Sequence, residues 1–211
     1  MNAIKTLSIL AVIGCAGAVV AEEAPLTCQP QAAAQCAGGK LVRVDWRDAQ
    51  LEGADFRNAN LESANLTGAN LRGADLRGAN LQFARLSESD LAGANLEGAD
   101  LRWADLERAN LVGARLTNAR LAKADLEEAD LTRAALDGAD LTRADLVNTD
   151  LQHADLRQAK LDGAYMSYTN LKAANLSGAS MQRTRLIGAR LNQTTWVDGR
   201  VCQAPSIGSC E

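Results

Sequence analysis

The sequence predicts a solenoid, a single chain wound into stacked coils, and two observations carry that reading. Every fifth residue from Trp46 to Trp196 is a large apolar side chain, 31 positions in unbroken register, of which 26 are Leu. From Ala49 to Thr194 the residue two places earlier is Ala, with Ser89, Thr149, Thr169, Thr184 and Thr194 as uncharged exceptions. A period of five fits neither regular element. On a helix each leucine would be rotated by more than a third of a turn from the last, so the set would wander around the axis. On a flat strand they would alternate faces and bury only half their number. A coil that turns a corner at each unit sends every Leu and Ala to one common axis, where stacked coils bury them together.

The unit reads Ala, Asn or Asp, Leu, then two variable residues, as in Ala59-Asn60-Leu61-Glu62-Ser63-Ala64-Asn65-Leu66-Thr67-Gly68. Gly recurs at the last place, for example at Gly68 and Gly163, as a corner with positive φ would select. The three prolines, Pro25, Pro30 and Pro205, lie outside the register, where a missing N–H removes no rung.

These residues resemble the pentapeptide-repeat family, whose unit is Ala, Asn or Asp, Leu and two variable residues, over the whole of Trp46 to Trp196. The resemblance implies an all-β fold, a right-handed quadrilateral β-helix of four units per coil and about seven to eight coils. Leu and Ala would then point inward and the other three places of each unit outward. In some relatives such rods dimerise end to end, and the oligomeric state of this chain stays open.

The ends read as extensions of a single domain. Residues 1–21 have the form of a signal peptide, with Lys5 before an apolar run from Leu7 to Val20 and small residues up to Ala21. An uncleaved anchor is one alternative. A lipoprotein is another, because Val12-Ile13-Gly14-Cys15 resembles a lipobox and would place a lipid on Cys15. Residues 22–43 form an N-terminal cap with Cys28 and Cys36, residues 44–198 the repeat, and residues 199–211 a C-terminal cap with Cys202 and Cys210. An even cysteine count in an exported chain favours disulfides within each pair, tying down frayed ends and shielding the open edges of the stack. The spacing is wrong for a zinc knuckle and His153 is the sole imidazole, so no metal and no cofactor is expected. The chain is expected outside the cytoplasm, periplasmic or secreted.

Charge is uneven along the repeat. Residues 86–162 hold 16 acidic and 9 basic side chains, a local −7, whereas residues 166–201 hold 5 basic ones and Asp198 alone, a local +4. With four units to a coil, Asp105, Asp125 and Asp145 share one column. Glu107, Glu127 and Glu128 lie beside it, relieved by Arg108. Three readings of this acidic face differ. It resembles gyrase-protecting members of the family, in which an acidic rod imitates DNA. Stacked carboxylates could also take Ca²⁺. The plain reading is a solvated surface whose charge keeps a strand-rich rod soluble.

Phe83 and Trp103 occupy the outward last place of their units, four units apart, and Lys123 and Arg143 continue the same column. Together they form a candidate patch for an envelope protein, a glycan or an anionic surface, weighed against simple cross-coil stacking. Tyr165 and Tyr168 read as a similar, weaker pair. Catalysis has little to stand on: no insertion interrupts the register, no motif places a nucleophile beside His153, and no Gly-rich phosphate loop follows a strand. The sequence is therefore read as a non-enzymatic exported scaffold or interaction module that binds no nucleic acid, with a DNA-mimicking inhibitor or protector of a type II topoisomerase as the alternative.

Overall fold

The computed structural model describes residues 28–211, so the signal-peptide segment and Cys15 lie outside the described residues. The chain folds as a right-handed quadrilateral β-helix. Parallel one-residue bridges join each rung to the equivalent place four units on, from Gln35↔Asp55 through to Asn175↔Thr195. Four sides of one unit each therefore make one coil. Eight coil steps separate Gln35 from Thr195, a stack on the order of 38 Å at about 4.8 Å per step.

Each unit closes its own backbone. Leu61 N–H donates to Asn80 O at 2.7 Å and Ser63 N–H to Gln82 O at 2.9 Å, both one coil ahead, while Asn60 N–H donates back to Gly39 O at 2.8 Å. Ala64 N–H then closes the turn on Leu61 O at 3.0 Å. The fifth amide explains the Asn or Asp of the unit. Glu62 N–H donates to Asn60 Oδ1 at 3.2 Å, and Arg57 N–H to Asp55 Oδ1 at 3.1 Å, so the side chain replaces a backbone acceptor that the turn cannot supply.

The last residue of each unit is left-handed as far as Gln193. Glycines do this freely, as at Gly163 with φ 70°, but so do Phe83, Trp103, Lys123 and Arg143 with φ between 58° and 63°. The corner is thus imposed by the ladder, and glycine is favoured there without being required.

The core is a continuous column of buried leucines and alanines from Ala34 to Leu191, with Phe56 fully buried near its base and Trp46 tilted against it at a centroid distance of 6.0 Å. Polar intruders are satisfied in place. Thr149, Thr169 and Thr194 donate their hydroxyls to Leu126 O, Leu146 O and Leu171 O, central residues of the preceding coil, at 2.8, 2.7 and 2.6 Å.

The ladder begins at Gln35, inside the segment the sequence assigns to a separate N-terminal cap. Cys36 and Leu41 take the central buried place, each 1% exposed, and Ala34 takes the small one. The register continues there, but a Cys in place of Leu and Gly39 and Val44 in place of Ala conceal it. The Cys28–Cys36 disulfide therefore sits within the first coil, with both residues buried. At the other end residues 199–211 fold back over two of the four sides through antiparallel bridges Thr195↔Val201 and Arg190↔Ile207, and the Cys202–Cys210 disulfide closes that flap. Among the described residues no helix is long and apolar enough to cross a membrane.

Candidate docking corner and acidic column

One corner of the rod carries Phe83, Trp103, Lys123 and Arg143 on successive coils. Phe83 and Trp103 stack face to face, with centroids 5.1 Å apart and planes 11° from parallel. Both rings stay about half exposed, at 49% and 41%. Lys123 Nζ lies 5.3 Å from the Trp103 centroid and Arg102 Cζ 5.6 Å, so two cations flank the indole. Arg143 does not reach this stack. Its Cγ instead sits 3.4 Å from where a Cβ on Gly163 would lie, one coil further on. The sequence-derived patch therefore holds together over Phe83, Trp103 and Lys123, and Arg143 stands apart from it.

Asp105, Asp125 and Asp145 do form a column of consecutive bridges. Each spends one oxygen on the fold: Oδ1 accepts the main-chain N–H of Glu107 at 3.2 Å, Glu127 at 3.0 Å and Val147 at 3.1 Å respectively. Asp105 also accepts Ser87 Oγ–H at 2.7 Å. Glu128 is held by Arg108 Nε at 2.7 Å, and the same guanidinium reaches Glu107 at 3.2 Å. Glu127 is the residue that feels the wall. Desolvation first, then Asp145, Asp125, Glu128 and Glu107, push its carboxyl above the ordinary value.

The column is short. Arg85 precedes Asp105 and Tyr165 follows Asp145 on the same side, with Arg185 Cζ 4.8 Å over the Tyr165 ring. Among the described residues no group of three or more His, Cys, Asp or Glu is arranged to hold a metal ion. His153 sits exposed at a left-handed corner, φ 58°, with its amide in the ladder. The expected Tyr165–Tyr168 pair is absent: Tyr165 pairs with Arg185, whereas the Tyr168 ring lies over Gly188, 2.6 Å from where a Cβ there would be. Residues three apart fall on different sides of a corner and face different neighbours.

Sequence reasoning missed the structural use of the Asn and Asp places, which absorbs half of each carboxylate in the acidic column. The signal was present, because Asn and Asp share an acceptor oxygen and differ in charge.

A family model described as pentapeptide repeats (8 copies) matches residues 32–68, 54–91, 84–122, 122–163 and 154–193. Comparison with curated proteins finds no match. Among solved structures, the chain is similar to HetL, a pentapeptide repeat protein involved in heterocyst differentiation regulation from the cyanobacterium Nostoc sp. strain PCC 7120. That pair is 31% identical with a TM-score of 0.51, covering 77% of this chain and 94% of HetL. The pentapeptide repeat protein Rfr23 from the cyanobacterium Cyanothece 51142 is 38% identical over 43% of this chain and 62% of its own, with a TM-score of 0.42. Full-length QnrB1, a plasmid-mediated fluoroquinolone resistance protein, is 20% identical over 73% of this chain and 82% of its own with a TM-score of 0.51, a likeness of fold alone. The family model, the coil-to-coil ladder and the HetL match together make this chain a member of the pentapeptide-repeat family.

Proposed function

We propose that this protein is a non-enzymatic, exported scaffold whose Phe83–Trp103 corner docks a protein partner in the bacterial envelope. The observation that carries the proposal is the stacked aromatic pair, half exposed and flanked by Lys123 and Arg102. Rigid aromatic area bordered by cations is the composition that concentrates binding energy at protein interfaces. Export is supported by the apolar leader with its small-residue exit at Ala21 and by paired cysteines at both ends, which persist in oxidising compartments. A non-enzymatic role is supported by the unbroken ladder from Gln35 to Thr195, which leaves no inserted loop to form a cleft.

Intact mass of the native protein from soluble-envelope, membrane and cytoplasmic fractions tests the compartment. A species beginning at Glu22 and lighter by four hydrogens supports export with two disulfides. A species acylated on Cys15 supports a tethered rod, and a full-length reduced species in the cytoplasm defeats the proposal. Docking is tested by comparing capture from envelope extract by the native protein and by the Phe83→Ser/Trp103→Ser double variant; equal capture by both defeats it.

The acidic column motivates a second reading, occupation of a DNA-binding surface on a type II topoisomerase. Glu127 is its specific support, since a carboxyl raised by desolvation and by four like charges marks a concentrated negative potential. Absence of any effect on gyrase supercoiling at micromolar protein removes this reading.

A further inference from the structure

We propose that the corner between Arg143 and Arg183 binds an oxyanion: a phosphate or sulfate group, free or as an ester. The two arginines occupy the same left-handed corner place two coils apart, and the place between them is Gly163. A missing side chain on that rung opens a cavity of about 310 Å³ lined by Thr142, Arg143, Asp162, Gly163, Gln182 and Arg183.

Many arginines of the rod are paired, although among the described residues Arg43, Arg85, Arg133 and Arg190 make no ion pair. Arg57, Arg77 and Arg157 each clamp the aspartate two places earlier, and Arg72 and Arg115 reach Asp90 and Glu97 on a neighbouring coil. Among the described residues Arg143 and Arg183 make no ion pair and no side-chain hydrogen bond. The single carboxylate in the notch is already committed: Asp162 Oδ1 accepts Gln182 N–H at 2.6 Å and Oδ2 accepts Ser180 Oγ–H at 2.8 Å. Two arginines therefore line a cavity whose one acid is turned to backbone and hydroxyl donors, and Thr142 and Gln182, which also line it, carry neutral donor groups. Planar forks match the edges of a tetrahedral oxyanion, which accepts from both sides at once. Gly163 adds no side chain of its own to the rung between the two arginines, and only the Arg143 stem leans over it.

This inference is independent of the docking proposal. Arg143 borders both features, whereas Arg183 and Gly163 belong to the notch alone, so each fails separately.

Pyrophosphate titrated into ¹⁵N-labelled protein at constant ionic strength, followed at the arginine Nε–H resonances, tests it. We expect saturable shifts at Arg143 and Arg183 with a dissociation constant on the order of millimolar, and little change at Arg72 and Arg115. Arg183→Gln should weaken binding at least five-fold. Gly163→Gln should abolish it by filling the notch, and the backbone accepts that change because Gln158 and Gln193 hold the equivalent last place of the unit on other corners at φ 57° and 60°. Shifts that rise linearly and equally at all four arginines, or unchanged affinity in both variants, overturn the proposal. Sedimentation with phosphatidylglycerol vesicles but not phosphatidylcholine vesicles, lost in Arg183→Gln, identifies a lipid headgroup as the source. Pyrophosphate binding without vesicle binding identifies a soluble phosphate.

Discussion

Trp103 lies flat over Phe83 at 5.1 Å, and the two amides beneath these rings make the longest corner hydrogen bonds of the ladder, 3.2 Å from Phe83 to Arg102 O and 3.3 Å from Trp103 to Ala122 O. The equivalent bonds at Ser63 and Lys123, on either side, are 2.9 and 3.0 Å. The aromatic stack and the coil spacing thus compete, and the backbone yields by a few tenths of an ångström.

This competition predicts an inverted ranking at Phe83. Phe83→Ala loses the stack, about 0.5–1.5 kcal/mol, and keeps a Cβ at φ 58°. Phe83→Gly loses the same stack but relieves the left-handed backbone, which costs a non-glycine residue about 1–2 kcal/mol. The Gly variant should be the more stable of the two by about 1 kcal/mol in urea denaturation, contrary to the usual penalty for glycine.

The side-chain acceptor of the unit is a second point of test. Asn60→Ala leaves Glu62 N–H without its Oδ1 acceptor and should cost about 0.5–1.5 kcal/mol. Asn60→Asp keeps the acceptor and should cost less. Equal losses would show that water replaces the bond without penalty.

Acid should weaken the rod in a defined window. The hydrogen-bonded guanidinium of Arg57, Arg77 or Arg157 holds Asp55, Asp75 or Asp155 below its ordinary pKa of 3.8. A carboxyl lowered on folding contributes stability that is present above the unfolded value and lost as pH falls through the folded one. Stability should therefore decline as pH drops below about 4, and less steeply in Asp55→Asn/Asp75→Asn. Glu127 runs the other way. Its raised pKa favours the protonated form, so any advantage is complete below its unfolded value of 4.5 and lost as pH rises through the folded one. Glu127→Gln should raise the melting temperature at pH 7 and leave it unchanged at pH 3.

The C-terminal flap supplies a fourth test. Closing a loop across Cys202–Cys210, eight residues apart, is worth about 2.5 kcal/mol in the chain-entropy account. Cys202→Ser/Cys210→Ser should speed amide exchange at Leu191, Gln193 and Cys202, whose bonds run between the last coil and the flap, and leave Leu101 in mid-rod unchanged. Identical exchange at the first three sites would mean that the disulfide does not anchor the end.

Most of the architecture is legible in the sequence because nearly every inward place holds either a large apolar or a small uncharged side chain, the roles of Leu61 and Ala64. The stacking of Phe83 on Trp103 follows from the same arithmetic once a coil is four units. Three features escape it. Cys36 hides the first coil because its residue type suggests a cap while its register makes it core. The Asp column looks like a bare wall of charge because a sequence does not show that Asp125 Oδ1 is occupied by a backbone N–H. The notch at Gly163 is defined by what its flanking arginines lack, and pairing between outward side chains depends on rotamers that a repeat does not specify.

If the Phe83–Trp103 corner meets a partner in the envelope, site-specific photocrosslinking in intact cells will capture it. A photoreactive residue at Ser63, one coil from Phe83 on the same corner, should give a single discrete adduct in the envelope fraction. The same residue at His153, on a different corner, should give none, and Phe83→Ser/Trp103→Ser should erase the Ser63 adduct. Adducts of equal yield from both positions, or a Ser63 adduct that survives loss of both rings, would mean that the corner docks no partner.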